Sequence, residues 1–135
     1  MSGSTTGPDG YRVAGGVTTV FVVTVIVSVL LAVVFARAGA PKVALRRSAV
    51  DRANHLGVPV DGYRWIGVAE WAAAIGLVVG IRWTIAGILA TVGLVLLMFG
   101  ATVLHRRAGD PANATFASTG LGLLAVVDLV LFIAR

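Results

Sequence analysis

The chain has 135 residues, 58% of them hydrophobic and 13% charged, against about half and about a quarter in soluble domains. A soluble domain this small keeps too much surface for its volume to hide that apolar load, so the composition excludes an ordinary water-soluble fold. The formal net charge of +5 falls between long apolar runs rather than on one polar face, which excludes nucleic acid as a partner and pairs the basic residues with anionic lipid headgroups.

Cysteine is absent, which removes disulfides, thiolate metal sites and dithiol redox relays. His55 and His105 are too few and too far apart in sequence to indicate a metal site. Any redox role would need a borrowed cofactor.

Residues 1–12, rich in Ser, Thr, Gly, Pro and Asp in their first ten positions, read as a disordered tail, with 13–135 forming one domain. The first apolar run, 13–36, holds 24 residues without a charge, more than a hydrocarbon core of about 30 Å requires at about 1.5 Å per helical residue. Ala38-Gly39-Ala40 resembles a leader cleavage site. The run is longer than a leader's apolar core, however, and only Arg12 precedes it, so it is read as a retained span.

The segment 37–62 is too long for a simple turn. Pro41 is expected to open a short helix over about 42–56, and Gly57 with Pro59 to close it. Leu45, Ala49, Ala53 and Leu56 give that helix a rough apolar stripe, as on a membrane surface; the competing reading is a basic loop that only fixes topology. Three further spans follow at about 63–81, 83–104 and 116–134. All must be helical, because lipid offers the backbone no hydrogen-bond partner. The expected fold is therefore an all-α membrane four-helix bundle.

Four spans put both termini on one side with Arg12, Arg82 and Arg135, and eight of the eleven basic residues on the other. The positive-inside rule then makes 37–62 and 105–115 cytoplasmic and leaves both termini outside. Small residues should hold the helices together, since lipid tails are as apolar as leucine. Ala72 to Ala74 and the Gly76-x-x-x-Gly80 pair suit a bundle interior, as do Gly87, Gly93, Gly100, Gly120 and Gly122. Gly76 and Gly80 serve equally well to face a second copy in a homo-oligomer.

Two carboxylates lie inside spans. Glu70 falls about 9 Å along the second span past Arg64, and Asp128 about 18 Å along the fourth. Each costs a few kcal/mol there unless paired or wetted, which makes each a candidate site and equally a candidate structural tether. Arg64 and His105 are the expected partners of Glu70; Arg82 or Arg135 could serve Asp128. Trp65 and Trp83 fit span ends, and Trp71 is read as a lipid or core contact.

Arg64-x-x-Gly67-x-x-Glu70, followed by Ala73-Ala74-Ile75-Gly76-Leu77, resembles the second-helix signature of the DoxX-like membrane proteins. Met98-x-Gly100-Ala101 with His105 is similar to that family's third-helix ending, Gly109-Asp110 to the loop after it, and His55-Leu56-Gly57-Val58-Pro59 to the segment before the second helix. The resemblance covers about 40–135. It implies a four-helix protein of a bacterial cytoplasmic membrane, with relatives linked to thiosulfate oxidation on quinone or to membrane oxidoreductase assemblies.

The leading expectation is a binding or accessory subunit. It would hold a lipid-soluble molecule, such as a quinone, near Arg64, Glu70 and His105, or dock an oxidoreductase on the basic cytoplasmic face. The second is an enzyme on a lipid-like substrate with Glu70 as general acid or base and His105 or Asp128 completing the site. The third is a small proton-coupled transporter, although the first span carries no carboxylate.

Overall fold

A computed structural model describes residues 8–135. The chain forms five helices: α1 (Pro8–Val43), α2 (Arg47–His55), α3 (Val60–Arg82), α4 (Thr84–Arg107) and α5 (Ala112–Ala134). Four of them, all but α2, are long and apolar enough to cross a membrane, and no strand occurs among the described residues.

α1 departs from expectation at both ends. Its helix begins at Pro8, so residues 8–12 of the expected tail are helical, while residues 1–7 lie outside the described part. At the other end it passes through Pro41 and stops at Val43 rather than letting Pro41 start a new helix. A proline this close to a helix end removes one backbone bond and leaves the rest of the final turn intact. The chain then reverses through Leu45 at φ +51°, with Leu45 N–H donating to the Lys42 carbonyl and Arg46 N–H to that of Pro41. This is a Schellman ending built on leucine, where glycine is usual. Gly57 (φ +69°) ends α2 and Gly109 (φ +71°) ends α4 by the same pair of bonds, each followed two residues on by proline.

The spans pack as a ring in which every neighbour is antiparallel. α1 packs on α3 and α5, α4 packs on the same two, and across the diagonals the backbones stay apart. Leu31 and Phe35 of α1, Leu77 of α3, Leu94 and Met98 of α4, and Phe132 of α5 fill the centre. Large apolar residues such as Ile75, Leu89, Leu96, Phe99 and Leu123 point outward, where the bilayer takes the place of a protein neighbour. α1 is the long member. Its 36 residues reach about 54 Å at about 1.5 Å each, and Gly10 to Thr19 are exposed throughout.

Small residues set the helix contacts at particular points. A Cβ on Gly76 would come within 2.9 Å of Ala90 Cβ, and one on Gly80 would strike the Gly87 backbone. Both glycines thus serve the α3–α4 contact within one chain. Gly93, Gly100 and Gly120 meet nothing within 4 Å, contrary to expectation. Six residues beyond Gly87 at about 3.6 per turn put Gly93 well around the helix from the packed face.

Candidate functional site

The polar residues that the bundle brings together lie at its α2 end, and the α1–α3 crossing positions them. A Cβ on Gly39 would sit 2.6 Å from Trp71 Cδ1 and 2.8 Å from the Gly67 carbonyl; one on Gly67 would sit 2.6 Å from Lys42 Cβ. Backbones this close bring Lys42 Nζ to 2.6 Å from Glu70 Oε1. The Trp71 indole N–H donates to the Ala36 carbonyl at 3.0 Å, tying the same crossing. Trp71 is therefore a tether between helices as well as a lipid contact.

Glu70 is 2% exposed, and the Lys42 side chain 15%. The ammonium also lies 5.2 Å from the centre of the Tyr63 ring, which favours a cation over its face. The second carboxylate oxygen, Oε2, is buried and has no hydrogen-bond partner.

A second cluster stands across from this pair. Asp110, fixed just past the α4 ending by its N–H bond to the His105 carbonyl, accepts from His105 Nδ1 and His55 Nε2 at 2.5 Å each. His105 first, and His55 with it, hold the Asp110 carboxyl below its ordinary pKa, because both bonds favour the charged form. α2 contacts α1 and α3 but neither α4 nor α5. Ala49 and Ala53 of α2 pack on Tyr63, so the His55–Asp110 bond is what ties α2 to the far side. Among the described residues no group of three or more His, Asp or Glu side chains is arranged to hold a metal ion.

Between the two clusters lies a cavity of about 740 Å³, walled by apolar side chains including Ile66, Leu97, Ala101 and Leu121, with Arg52 and His55 of α2 at its rim. Volumes of roughly 300–1,000 Å³ with a few convergent polar groups characterise small-molecule sites.

The expected site residues divide. Glu70 and His105 both line the cavity, but His105 bonds Asp110 and not Glu70. Arg64 is exposed and outside the cavity lining; the counter-charge of Glu70 is Lys42. Asp128 is also outside it. Fully buried, it accepts from the Ser28 hydroxyl at 3.0 Å through both oxygens. No ion pair joins Asp128 to Arg82 or Arg135 (the Arg135 guanidinium instead donates to the Ile81 carbonyl at 2.7 Å and lies over the Phe21 and Phe132 rings). Glu70 and Asp128 thus occupy separate sites.

Lys42, His55 and Asp110 line the cavity alongside Glu70, and none of the three stands out as a site residue in the sequence. Lys42 counted as one of the topology charges, and only a helix continued past Pro41 turns it inward. His55 and Asp110 gave no signal beyond the family resemblance, because the helix endings at Gly57 and Gly109 are what aim them at each other.

Fold and site together define a polytopic membrane helix bundle with a half-open cavity polar at its two sides. The DoxX-like family profile matches residues 26–127, and the chain belongs to that family. The match reaches into α1, further than the motifs alone carried the resemblance. No curated protein and no solved structure matches the chain.

Proposed function

We propose that this DoxX-like protein is a binding subunit whose cavity holds one lipid-soluble molecule, its head against Lys42 and Glu70 and its tail along the apolar walls. The observation that carries this reading is that Glu70, whose buried Oε2 has no partner, and Lys42 both line a largely apolar cavity. A buried acceptor without a donor is costly, and a bound head group supplies the donor. A quinol is one molecule of this shape. The charge distribution supports an α2 end in the cytoplasm, where Arg46, Arg47, Arg106 and Arg107, all exposed, offer a basic face to a partner oxidoreductase.

The test is lipid-extract mass spectrometry on protein purified in mild detergent, with wild type beside Glu70→Gln and Gly100→Leu at matched helicity and elution volume. Gly100 lines the cavity and a Cβ there meets nothing within 4 Å, so a larger side chain starts into open space away from the α1–α3 crossing. The expected result is a lipid retained by wild type and lost from both variants. Identical bulk lipid in all three would overturn the reading and leave Glu70 as a structural tether.

A further inference from the structure

Resting on the cavity reading above, we propose that the site selects an uncharged head group that donates a hydrogen bond, an alcohol or a phenol, and rejects carboxylate, phosphate and ammonium heads. The charges at the cavity balance. Lys42 and Arg52 are positive, Glu70 and Asp110 negative, and all four line the same space, where His55 and His105 are both engaged by Asp110. Three of the four carboxylate oxygens are occupied: Glu70 Oε1 by Lys42, and the two of Asp110 by the imidazoles.

The remaining one, Glu70 Oε2, is buried and unpartnered on a side chain 3% exposed, so a head group meets it as the carboxyl turns toward the cavity that Glu70 lines. It is an acceptor only, so an anionic head meets repulsion there and an ether or ketone meets a second acceptor. An ammonium head would answer Oε2 but would stand beside Lys42, which already neutralises this carboxylate. A hydroxyl satisfies the whole arrangement. It donates to Oε2, while its own oxygen accepts one of the two Lys42 N–H groups left after the bond to Oε1.

The probes are para-hexylphenol, para-hexylanisole and para-hexylbenzoate, which share ring and tail and differ only in the head. Saturable binding is measured by calorimetry on the full chain in phosphatidylcholine nanodiscs, with empty discs subtracted. The phenol should bind roughly tenfold or more tighter than either of the others, the usual worth of a hydrogen bond to a charged group. In Glu70→Gln the preference for phenol over anisole should vanish or invert. Lys42 then holds the amide oxygen, and the amide N–H₂ replaces an acceptor with a donor.

Equal wild-type binding of phenol and anisole, with both lost in Gly100→Leu, overturns the head-group proposal and leaves the cavity reading standing. Tightest binding of the benzoate overturns it in favour of an anion site. Absence of saturable binding by any probe sinks the cavity reading itself, and this proposal with it. The wild-type comparison needs no variant to fold.

Discussion

Gly39 of α1 faces Glu70 across the helix crossing, and Gly67 of α3 faces Lys42, so each glycine makes room for the other helix's charged residue. Because the helices are antiparallel, the two positions pair in opposite order along the crossing. Lys42 therefore reaches Glu70 from the α2 end over a backbone contact that no larger residue would permit. The ion pair and the close approach are a single construction, and the cavity floor depends on both.

Removing one charge should therefore cost more than removing two. Lys42→Met leaves Glu70 buried without its counter-charge, and a broken buried pair typically costs about 3–5 kcal/mol. Lys42→Met with Glu70→Met should regain most of that. Thermal unfolding followed by circular dichroism in one detergent compares them; a double variant no more stable than the single would mean the pair is not coupled.

Glycine substitutions should sort by location and not by residue type. Gly67→Ala puts a Cβ 2.6 Å from Lys42 Cβ and 3.0 Å from the Gly39 carbonyl, neither of them a flexible tip, so the helices must part at a cost of about 1–3 kcal/mol. Gly93→Ala meets open space and should gain about 0.5–1 kcal/mol from the lower backbone freedom of alanine. The same melting experiment reads both, and equal effects would remove the α1–α3 crossing from the account.

The tie between α2 and the α4–α5 turn should depend on acid. Both imidazoles favour the Asp110 carboxylate, so its folded pKa is depressed. The stabilisation it provides is then complete above the unfolded value of about 3.9 and is lost as pH falls through the lower folded value. Because the chain has no cysteine, a nitroxide on Ser48→Cys, at an exposed position of α2, reports this helix alone. Its mobility should stay constant from neutral pH to about 4 and rise below that, while Asp110→Asn should be mobile at every pH. Indistinguishable spectra for the two proteins would show that Asp110 does not restrain α2.

The Asp128 site should act on stability and leave the cavity alone. Ser28→Ala removes the hydroxyl that donates to both oxygens of a fully buried carboxyl, a loss of about 1–3 kcal/mol. Binding of para-hexylphenol at temperatures where the variant is folded should match wild type. Weakened binding there would mean the two polar sites communicate.

Span number, helical class and the inward face of α3 were legible in the chain because lipid leaves the backbone few solutions. Glu70 and Asp128 stood out for the same reason, since a carboxylate in an apolar run needs an explanation wherever it points. The partners were not legible. Arg64 is close to Glu70 in sequence, but it lies on the exposed side of α3, whereas Lys42 is 28 residues away on another helix. Leu45 hid the true end of α1, because a left-handed position without glycine or asparagine leaves no trace in composition. A span ended at 36 leaves Lys42 in a surface segment, whereas α1 runs on to Val43 and carries it to Glu70.

The Ser28–Asp128 bond spans 100 residues of chain and closes the ring between its first and last spans. During synthesis α1 precedes α5, so Thr24 and Ser28 wait as a hydroxyl pair in the apolar middle of that helix. Thr24 bonds its own helix, at the Val20 carbonyl, and tolerates the delay, whereas Ser28 has its partner on α5. Asp128 in turn enters the membrane with its donor already in place. Docking of α5 and closure of the ring are thereby linked. Without α5 the Ser28 hydroxyl can only turn back on its own helix, as Thr24 does, so its change of partner marks the docking of α5.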